Sequence, residues 1–356
     1  MTRILHLVAG NHRRGAETFA VELAEHHRAV GHEVRVMAVT DSGVSDPLPV
    51  EVAADHRADP RGAARIINAA RWSDVVVSFG SSSLAAGAVA ARVTRRPFVY
   101  RQIGDPSVWG RVRWSNLRVG APARSAQRVV ALYPGAADTL VDLYRLDRST
   151  IQIIPRGVPG DRFQPSTAAE QSAAQEWLGL DPSRSWVAYV GALSEEKDPL
   201  LAIDAMAHLD DEVGLVVAGD GPLMGEVTRR CARLGNRVQL LGAVTDVGPV
   251  YAAADLLILP SRTEGIPGVA VEAGMSGLPV VAFPVGGVPS VVLDGSTGVL
   301  KAERRPEAVA AGVRDAIVRS TSYGAAARAH CLEHFSMTTV GLAWERVIDE
   351  VLHSQR

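Results

Sequence analysis

Short apolar runs alternate with longer stretches of helical periodicity, and this alternation occurs in both halves of the chain. The apolar runs of the first half are residues 4–9, 34–39, 75–79, 98–102 and 129–132, with helical stretches such as 16–29, 83–93 and 135–145. Those of the second half lie near 186–190, 214–218, 238–241, 256–259 and 279–282. Continuous apolar strands between helices are typical of parallel sheets covered on both faces.

The predicted fold class is therefore α/β, with two doubly wound, Rossmann-like domains facing a central cleft. A proline- and glycine-rich segment, residues 153–165, separates the two sets of strands. We place the first domain at 1–162 and the second at 163–336. The C-terminal helix, residues 337–356, is expected to join the first domain.

Composition excludes several classes of protein. No apolar run approaches the ~18–20 residues that span a bilayer, and the N-terminus resembles a buried strand more than a signal peptide. The two cysteines and ten histidines show no metal-ligand spacing, which makes a zinc enzyme improbable and a reduced, cytoplasmic setting the expectation. The adjacent His26 and His27 are expected to be solvated on a surface helix.

The net charge of −2 conceals an asymmetry between the two halves. Residues 1–162 carry a net +7, whereas residues 163–356 carry −9. Nine arginines and one acid lie within 92–128. This segment suits an anionic membrane surface or an acidic acceptor, and a solvated face is the alternative. No nucleic-acid-binding motif accompanies it, so nucleic acid is not expected as a partner.

Two loops that follow predicted strands have features of phosphate sites. The first strand leads into GNHRRGAE (10–17), whose glycines precede a helix without forming the dinucleotide pattern G-x-G-x-x-G. In the second half, Lys197 follows a strand and Gly191; it is one of two lysines among 37 basic residues. A compact cation there suits a diphosphate. Ordinary turns and a solvated loop lysine are the alternatives.

The most specific feature is a pair of glutamates around the strand at 256–259. Glu264 lies in the loop after this strand, and Glu272 follows eight residues later within a small, apolar helix. Because unpaired carboxylates are seldom buried, Glu272 is expected to have a polar partner, for which a ribose diol is suitable. The N-terminus of the same helix offers a site for phosphate.

Six segments, in order, resemble the retaining GT-B glycosyltransferases of family 4, also called group 1. They are RGAE, IIPRGV, VGALSEEKD, AGDGPL, LLGAVTD and the E-x7-E motif EGIPGVAVE with the flanking ADLLILPSRTEG and GLPVVAFPVGG. The resemblance extends over most of the chain and implies a nucleotide-diphospho-sugar donor bound mainly by the second domain. UDP or GDP is the expected nucleotide, while the residues leave the base and the sugar of the donor open.

The resemblance also implies roles for individual residues. Glu272 would bind the ribose, Lys197 the diphosphate, and Glu264 the donor sugar. The remaining donor contacts would come from backbone at Gly15, Gly191, Gly219, Val244, Gly265, Ile266, Gly268 and Val269. No metal and no cofactor are implied, because Lys197 and helix termini can neutralise the phosphates and no Asp-x-Asp is present.

The sequence departs from the family at four positions. Ala192 replaces an arginine that accompanies the lysine, and Ile103 replaces a histidine near the sugar. Pro267 stands in place of a glycine and cannot donate a hydrogen bond, and Ser290 replaces a glutamate. We hypothesise that Arg101 supplies part of the polarity missing at position 103, which makes Arg101 a candidate catalytic residue beside Glu264 and Lys197.

The resulting prediction is a metal-independent, retaining hexosyltransferase that moves a sugar to a hydroxyl of a glycan, a lipid-linked acceptor or a small molecule. Its location would be cytoplasmic, with peripheral attachment to the membrane as an extension. A sugar-nucleotide epimerase or a phosphorylase on the same fold is an alternative. A non-catalytic sugar-nucleotide-binding protein is another, because Ala192 and Ile103 depart from the family.

Overall fold

The computed structural model describes residues 1–13, 15–44, 46–56, 59–109 and 116–354. Contacts between residues divide the chain into two compact units. Unit 1 comprises Met1–Gly157 together with Met337–Arg356, and unit 2 comprises Val158–Ser336. The C-terminal segment thus packs with the first half of the chain.

Unit 1 is built on a parallel sheet whose described strands have the order β3-β2-β1-β4-β5-β6-β7. The strands are β1 (Arg3–Val8), β2 (Glu33–Ala38), β3 (Glu51–Val52), β4 (Val75–Phe79), β5 (Phe98–Arg101), β6 (Arg128–Ala131) and β7 (Ile151–Ile153). The helices are α1 (Gly15–Ala29), α2 (Pro60–Trp72), α3 (Ser81–Thr94), α4 (Pro106–Trp109), α5 (Ala121–Ala123), α6 (Pro134–Tyr144) and, from the end of the chain, α15 (Met337–His353).

Unit 2 repeats this plan with a parallel sheet in the order β10-β9-β8-β11-β12-β13. Its strands are β8 (Ser185–Val190), β9 (Val213–Ala218), β10 (Val238–Gly242), β11 (Leu256–Leu259), β12 (Val280–Ala282) and β13 (Gly298–Leu300). Its helices are α7 (Ala168–Trp177), α8 (Pro199–Ala205), α9 (Met224–Cys231), α10 (Gly248–Ala253), α11 (Gly268–Met275), α12 (Val288–Val291), α13 (Pro306–Val318) and α14 (Ser320–Phe335).

The predicted α/β fold class with two parallel sheets is confirmed, and the ten predicted strands are present. The structure adds three strands of two or three residues at or near sheet edges: β3, β7 and β13. A run this short has no periodicity that a sequence pattern can detect. No helix among the described residues is both long and apolar enough to cross a membrane.

The expectation that His26 and His27 are solvated is wrong for His27. Its side chain is fully buried, and its ring centroid lies 5.4 Å from that of His6, which is also fully buried on β1. Nε2 of His27 is 3.4 Å from a carboxylate oxygen of Glu345 on α15. Tertiary packing of α15 against α1 therefore covers a face of α1 that its own sequence leaves polar.

Helix α15 also completes the hydrophobic core of unit 1. Trp344 is fully buried and stacks on Phe79 of β4, with ring centroids 6.0 Å apart. Val347 and Ile348 belong to the same apolar cluster as Phe19 of α1. Burying side chains of this size stabilises a fold by about 1.5–3 kcal/mol each, so α15 is an integral part of unit 1.

The buried histidines predict acid sensitivity for unit 1. Burial lowers the pKa of His6 from 6.5 to about 4, with Arg28 adding to the shift and a hydrogen bond to Ala20 O opposing it. A histidine with a depressed folded-state pKa contributes stability that is present above the unfolded pKa. That stability falls as the pH drops from about 6.5 towards 4, because the unfolded chain then binds more protons. We expect a loss of about 3 kcal/mol from His6 over this range.

Chemical denaturation measures this loss between about pH 7.5, roughly one unit above the unfolded-state pKa, and about pH 4, the folded-state pKa. The variant His6→Gln should show a shallower decline of unfolding free energy with acid. His208→Gln is the matched control, because His208 is partly exposed beside Glu307. An unchanged slope in His6→Gln would contradict the assignment.

Candidate functional site

The loops that follow β8, β9 and β11 meet at the carboxyl edge of the unit 2 sheet, where parallel α/β sheets bind their ligands. Gly191 and Gly219 lie where the first two loops begin. A Cβ on Gly219 would be 1.8 Å from the carbonyl oxygen of Gly191, and Gly219 has a φ of +152°. Leu193 N then donates to Asp220 O at 2.9 Å, so the two loops run side by side. Glycine is required here by close approach of the two backbones.

Lys197 and Glu264 form the central contact of this edge. The Nζ of Lys197 donates to Oε1 of Glu264 at 2.7 Å, and a carboxylate oxygen of Glu196 is 3.5 Å from the same nitrogen. The side chain of Glu264 is 9% exposed, whereas that of Lys197 is 27% exposed. The two residues to which the sequence assigns a diphosphate and a sugar are therefore in direct contact, with the ammonium the more accessible group.

Asp198 anchors a second charged group beside Lys197, and sequence reasoning did not identify it. Its Oδ2 accepts a hydrogen bond from Nη2 of Arg304 at 2.8 Å. The same oxygen lies 2.8 Å from Nη2 of Arg262, with which it forms an ion pair. Arg304 also donates to the carbonyl oxygens of Pro260 and Ser261 and lies over the ring of Phe283, which fixes its position. Only tertiary structure brings Arg304 to this loop.

Arg262 differs from Arg304 because its side chain is 60% exposed. Its backbone N–H donates to Glu196 O at 2.8 Å, which joins the loop before Glu264 to the loop that carries Lys197. Ala192, where the family has arginine, is exposed. Arg262 is thus an accessible cation whose ion-pair partner immediately follows Lys197 in the chain.

Glu272 has the polar partner that its position in an apolar helix predicts. The hydroxyl of Tyr251, on α10, lies 3.1 Å from Oε2 of Glu272 and 3.4 Å from the carbonyl oxygen of Val269. Tyr251 is buried, and its ring packs edge-on against Phe163. The partner of Glu272 is therefore the hydroxyl of Tyr251, which donates to Oε2 and holds this side of the carboxylate in place.

The loop between the two glutamates is packed against its surroundings. Gly265, Ile266 and Gly268 are buried, and Gly265 O accepts a hydrogen bond from Gly287 N at 2.8 Å. Helix α11 begins at Gly268, after Pro267. The first N–H groups of α11 therefore belong to Gly268 and Val269. Val244 is half-buried in the turn between β10 and α10.

The other predicted site residues, Gly15 and Arg101, belong to unit 1. Gly15 is the first residue of α1, and Arg101 is the last residue of β5. Arg101 is 2% exposed. Ile103 is half-buried, and its side chain lies beside Gly80, where an added Cβ would be 2.6 Å from Ile103 Cδ1. Gly15 and Arg101 lie in a different unit from Lys197, Glu264 and Glu272.

The Arg-rich segment 92–128 is only partly described. Arg92, Arg95 and Arg118 are exposed, as are the apolar side chains of Val93 and Leu117. The buried Arg101 is not part of that surface. Arg111, Arg113 and Trp114 lie outside the described residues. No group of three or more His, Cys, Asp or Glu side chains among the described residues is arranged to hold a metal ion.

Comparison with protein families gives two matches that together cover most of the chain. Residues 13–162 match the family described as Glycosyltransferase Family 4, and residues 184–318 match the family described as Glycosyl transferases group 1. The second match falls within unit 2, and the first falls within unit 1 except for its last residues, 158–162.

The chain is also similar to curated proteins named D-inositol 3-phosphate glycosyltransferase. One, from Mycobacterium sp. (strain JLS), is 37% identical over 49% of this chain and 41% of its own length. Another, from Segniliparus rotundus, is 34% identical over 67% of this chain and 54% of its own length. The matches thus span about half the length of these relatives.

Solved structures share the fold at low sequence identity. HepE of Anabaena in complex with UDP and glucose has a TM-score of 0.86 and 23% identity, and covers 98% of this chain and 100% of that chain. A sucrose-phosphate synthase from Thermosynechococcus elongatus has a TM-score of 0.82 and 19% identity, with coverage of 99% and 100%. These likenesses establish a GT-B fold.

The close approach of the loops at Gly219 predicts a steep cost for adding a methyl group there. We expect Gly219→Ala to lower the free energy of unfolding by about 2 kcal/mol or more, because both backbone conformation and space oppose a Cβ. Gly225→Ala is the matched control: Gly225 lies in α9, where an added Cβ meets only a flexible Arg229 side chain at 3.9 Å. That change should be neutral or stabilising by about 0.5–1 kcal/mol. Equal effects of the two substitutions in urea denaturation would contradict this account.

Proposed function

Because the chain belongs to the family 4, or group 1, glycosyltransferases and has their GT-B fold, we propose that it moves a sugar from a nucleotide-diphospho-sugar to a hydroxyl acceptor, with retention of anomeric configuration. The observation that carries this proposal is the contact between Lys197 and Glu264, with Glu272 and Tyr251 paired on neighbouring helices of the same sheet edge. This arrangement joins a cation and two carboxylates in the family's E-x7-E spacing.

In the proposed mechanism, Lys197 neutralises the diphosphate as the bond to the sugar breaks. Glu264 holds the Lys197 ammonium through a contact of 2.7 Å. The side chain of Lys197 is partly exposed, which leaves its other N–H donors available to a ligand. A donor placed where negative charge develops contributes more in a water-poor site than in bulk water. Glu264 would then accept hydrogen bonds from hydroxyls of the donor sugar.

Glu272 is proposed to accept hydrogen bonds from the two ribose hydroxyls. The buried Tyr251 hydroxyl, 3.1 Å away, holds one carboxylate oxygen in a defined direction. A carboxylate fixed in this way loses little freedom when the ligand binds, which favours affinity.

Backbone groups complete the proposed donor site. Since Pro267 has no N–H, Gly268 and Val269 at the start of α11 would donate to sugar or phosphate, aided by the positive end of the helix dipole. Val244 would contact the base, and Gly191 and Gly219 would permit close approach of the ligand. The donor contact expected of Gly15 stays a prediction. The cations and helix termini support a reaction without a metal ion.

The donor nucleotide is proposed to be UDP or GDP; structures of HepE hold UDP, UDP with glucose, and UDP-glucose. The acceptor hydroxyl is not specified by these residues. Two expectations from the sequence stay predictions: attachment to an anionic membrane through residues 92–128, and a cytoplasmic location.

The decisive experiment for the activity is a two-step assay. Thermal shifts with UDP, GDP, ADP and TDP identify the nucleotide, and a saturating ligand at about a hundred times its dissociation constant adds about 2.7 kcal/mol of stability. The matching donor is then incubated with a panel of acceptors, and NMR follows the anomeric configuration. A retained product supports the proposal. Nucleotide binding without transfer or hydrolysis indicates a binding protein. Formation of an epimerised donor indicates an epimerase, and formation of a sugar phosphate indicates a phosphorylase.

The contribution of Lys197 can be measured against the other lysine of the chain. We expect Lys197→Ala to weaken UDP binding about tenfold or more, because a charge-assisted contact contributes roughly 1.5–3 kcal/mol. Binding of the nucleoside uridine should change less than about threefold, because uridine lacks the phosphates that Lys197 is proposed to contact. Lys301→Ala is the control. Calorimetry that finds equal losses for uridine and UDP would contradict a role at the diphosphate. If another nucleotide is preferred, its diphosphate and nucleoside replace these probes.

The family cation missing at position 192 gives a further test. Restoring it with Ala192→Arg should tighten UDP binding about fivefold through an exposed charge contact, and this gain should shrink with salt. Ala192→Gln should have no effect. If Arg262 already serves this purpose, Arg262→Ala weakens binding and Ala192→Arg restores it in the double variant. No gain from Ala192→Arg at low ionic strength, in either the wild-type or the Arg262→Ala protein, would contradict a place for position 192 beside the diphosphate.

A further inference from the structure

Two arginines share one carboxylate oxygen beside Lys197. The Nη2 atoms of Arg304 and Arg262 each lie 2.8 Å from the same atom, Oδ2 of Asp198. The side chain of Asp198 is 12% exposed, so the shared oxygen lies in a largely dry environment. One carboxylate balances one positive charge, and the second guanidinium therefore has no carboxylate of its own in this contact.

The two arginines differ in how firmly they are held. Arg304 also donates to the carbonyl oxygens of Pro260 and Ser261, and its side chain is 27% exposed. The side chain of Arg262 is 60% exposed, and its described guanidinium contact is the ion pair with Asp198. Because exposed ion pairs are weak, Arg262 is the cation that can leave Asp198 while Arg304 remains.

The position of Arg262 places its charge alongside Lys197. The backbone N–H of Arg262 donates to Glu196 O at 2.8 Å, and its guanidinium pairs with Asp198. Arg262 is therefore attached to the residues on both sides of Lys197. It also lies two positions before Glu264, whose carboxylate contacts the Lys197 ammonium at 2.7 Å. An anion bound by this ammonium would lie within reach of the Arg262 side chain.

The backbone of Asp198 indicates that its side chain is used for this pairing at the expense of local stability. Asp198 immediately precedes α8, where an aspartate ordinarily accepts hydrogen bonds from the first N–H groups of the helix. Among the described N–H groups of α8, none donates to this carboxylate, and the backbone is left-handed, with φ +49° and ψ 51°. That region is unfavourable for a residue other than glycine, and such strain is typical of functional sites.

We propose that Asp198 holds Arg262 in reserve, and that Arg262 moves to the diphosphate when the nucleotide-sugar donor binds. Arg304 stays on Asp198, so the carboxylate is not left as an isolated buried charge. Arg262 then supplies the second cation that Ala192 does not, and it stabilises the charge that develops on the leaving diphosphate. This inference rests on the proposed function, because it assigns residues to the diphosphate of that donor.

Calorimetry with UDP and uridine tests this exchange in the full chain. Arg262→Met should weaken UDP binding about fivefold, as expected of an exposed charge contact, and change uridine binding less than about twofold. Arg304→Met should weaken UDP binding about threefold without a ligand contact of its own, because Asp198 then retains Arg262 as its remaining partner. Arg305→Met is the matched control: this exposed neighbour pairs with Glu303, and its loss should leave UDP binding unchanged.

Double variants distinguish the exchange from a merely structural role. Asp198→Asn keeps the size of the side chain and its tolerance of the left-handed backbone, and it removes the charge that holds Arg262. In the Arg304→Met background it should restore the UDP affinity that Arg304→Met loses. In the Arg262→Met background, Arg304→Met should have no further effect, because both changes act through one guanidinium. Urea denaturation verifies that each variant is folded.

Three results would overturn the exchange: unchanged UDP affinity in Arg262→Met, additive losses in the double variant of Arg262→Met and Arg304→Met, or no rescue by Asp198→Asn. If UDP binding nevertheless depends on Lys197, the donor site stands and only this inference is wrong. If the wild type binds neither UDP nor another nucleoside diphosphate, the proposed function is wrong as well. If another nucleotide is preferred, its diphosphate and nucleoside replace these probes.

Discussion

The parallel arrangement of both sheets is the constraint on which every functional feature of this chain depends. Parallel strands end at one edge, so each loop that follows a strand is delivered to the same place regardless of its distance along the chain. In unit 2 this edge brings Lys197 within 2.7 Å of Glu264, although 67 residues separate them. In unit 1 it places Arg101, at the end of β5, on the first turns of α1.

Charge is distributed differently at the two edges. Around Lys197 each cation has a carboxylate: Glu264 contacts Lys197, and Asp198 pairs with Arg262 and Arg304. A balanced network of this kind can exchange one partner for a ligand without leaving an isolated charge. Arg101 is instead surrounded by aromatic rings and a second arginine.

Packing between different elements explains two polar residues that the local sequence pattern does not. One lies in an apolar helix, and the other is buried where the pattern predicts a solvated side chain. Glu272 is stabilised in an apolar helix by Tyr251 of α10, and His27 is buried because α15 returns to cover α1. In both cases another element supplies the partner: the preceding helix for Glu272 and the C-terminal helix for His27. Such positions are also the most sensitive to pH or substitution, because their environment is dry.

The sequence by itself determined the α/β class, ten of the thirteen described strands and the E-x7-E spacing that carries the family resemblance, because strand periodicity and motif spacing are local properties of the chain. It also identified Lys197 as a lysine at a strand's end. Only the tertiary structure decided that Lys197 contacts Glu264, that Tyr251 holds Glu272, that Arg262 and Arg304 share Asp198, and that Arg101 is buried. These contacts join residues 21 to 106 positions apart. Side-chain burial and pairing depend on which distant elements meet, and no local pattern encodes that meeting.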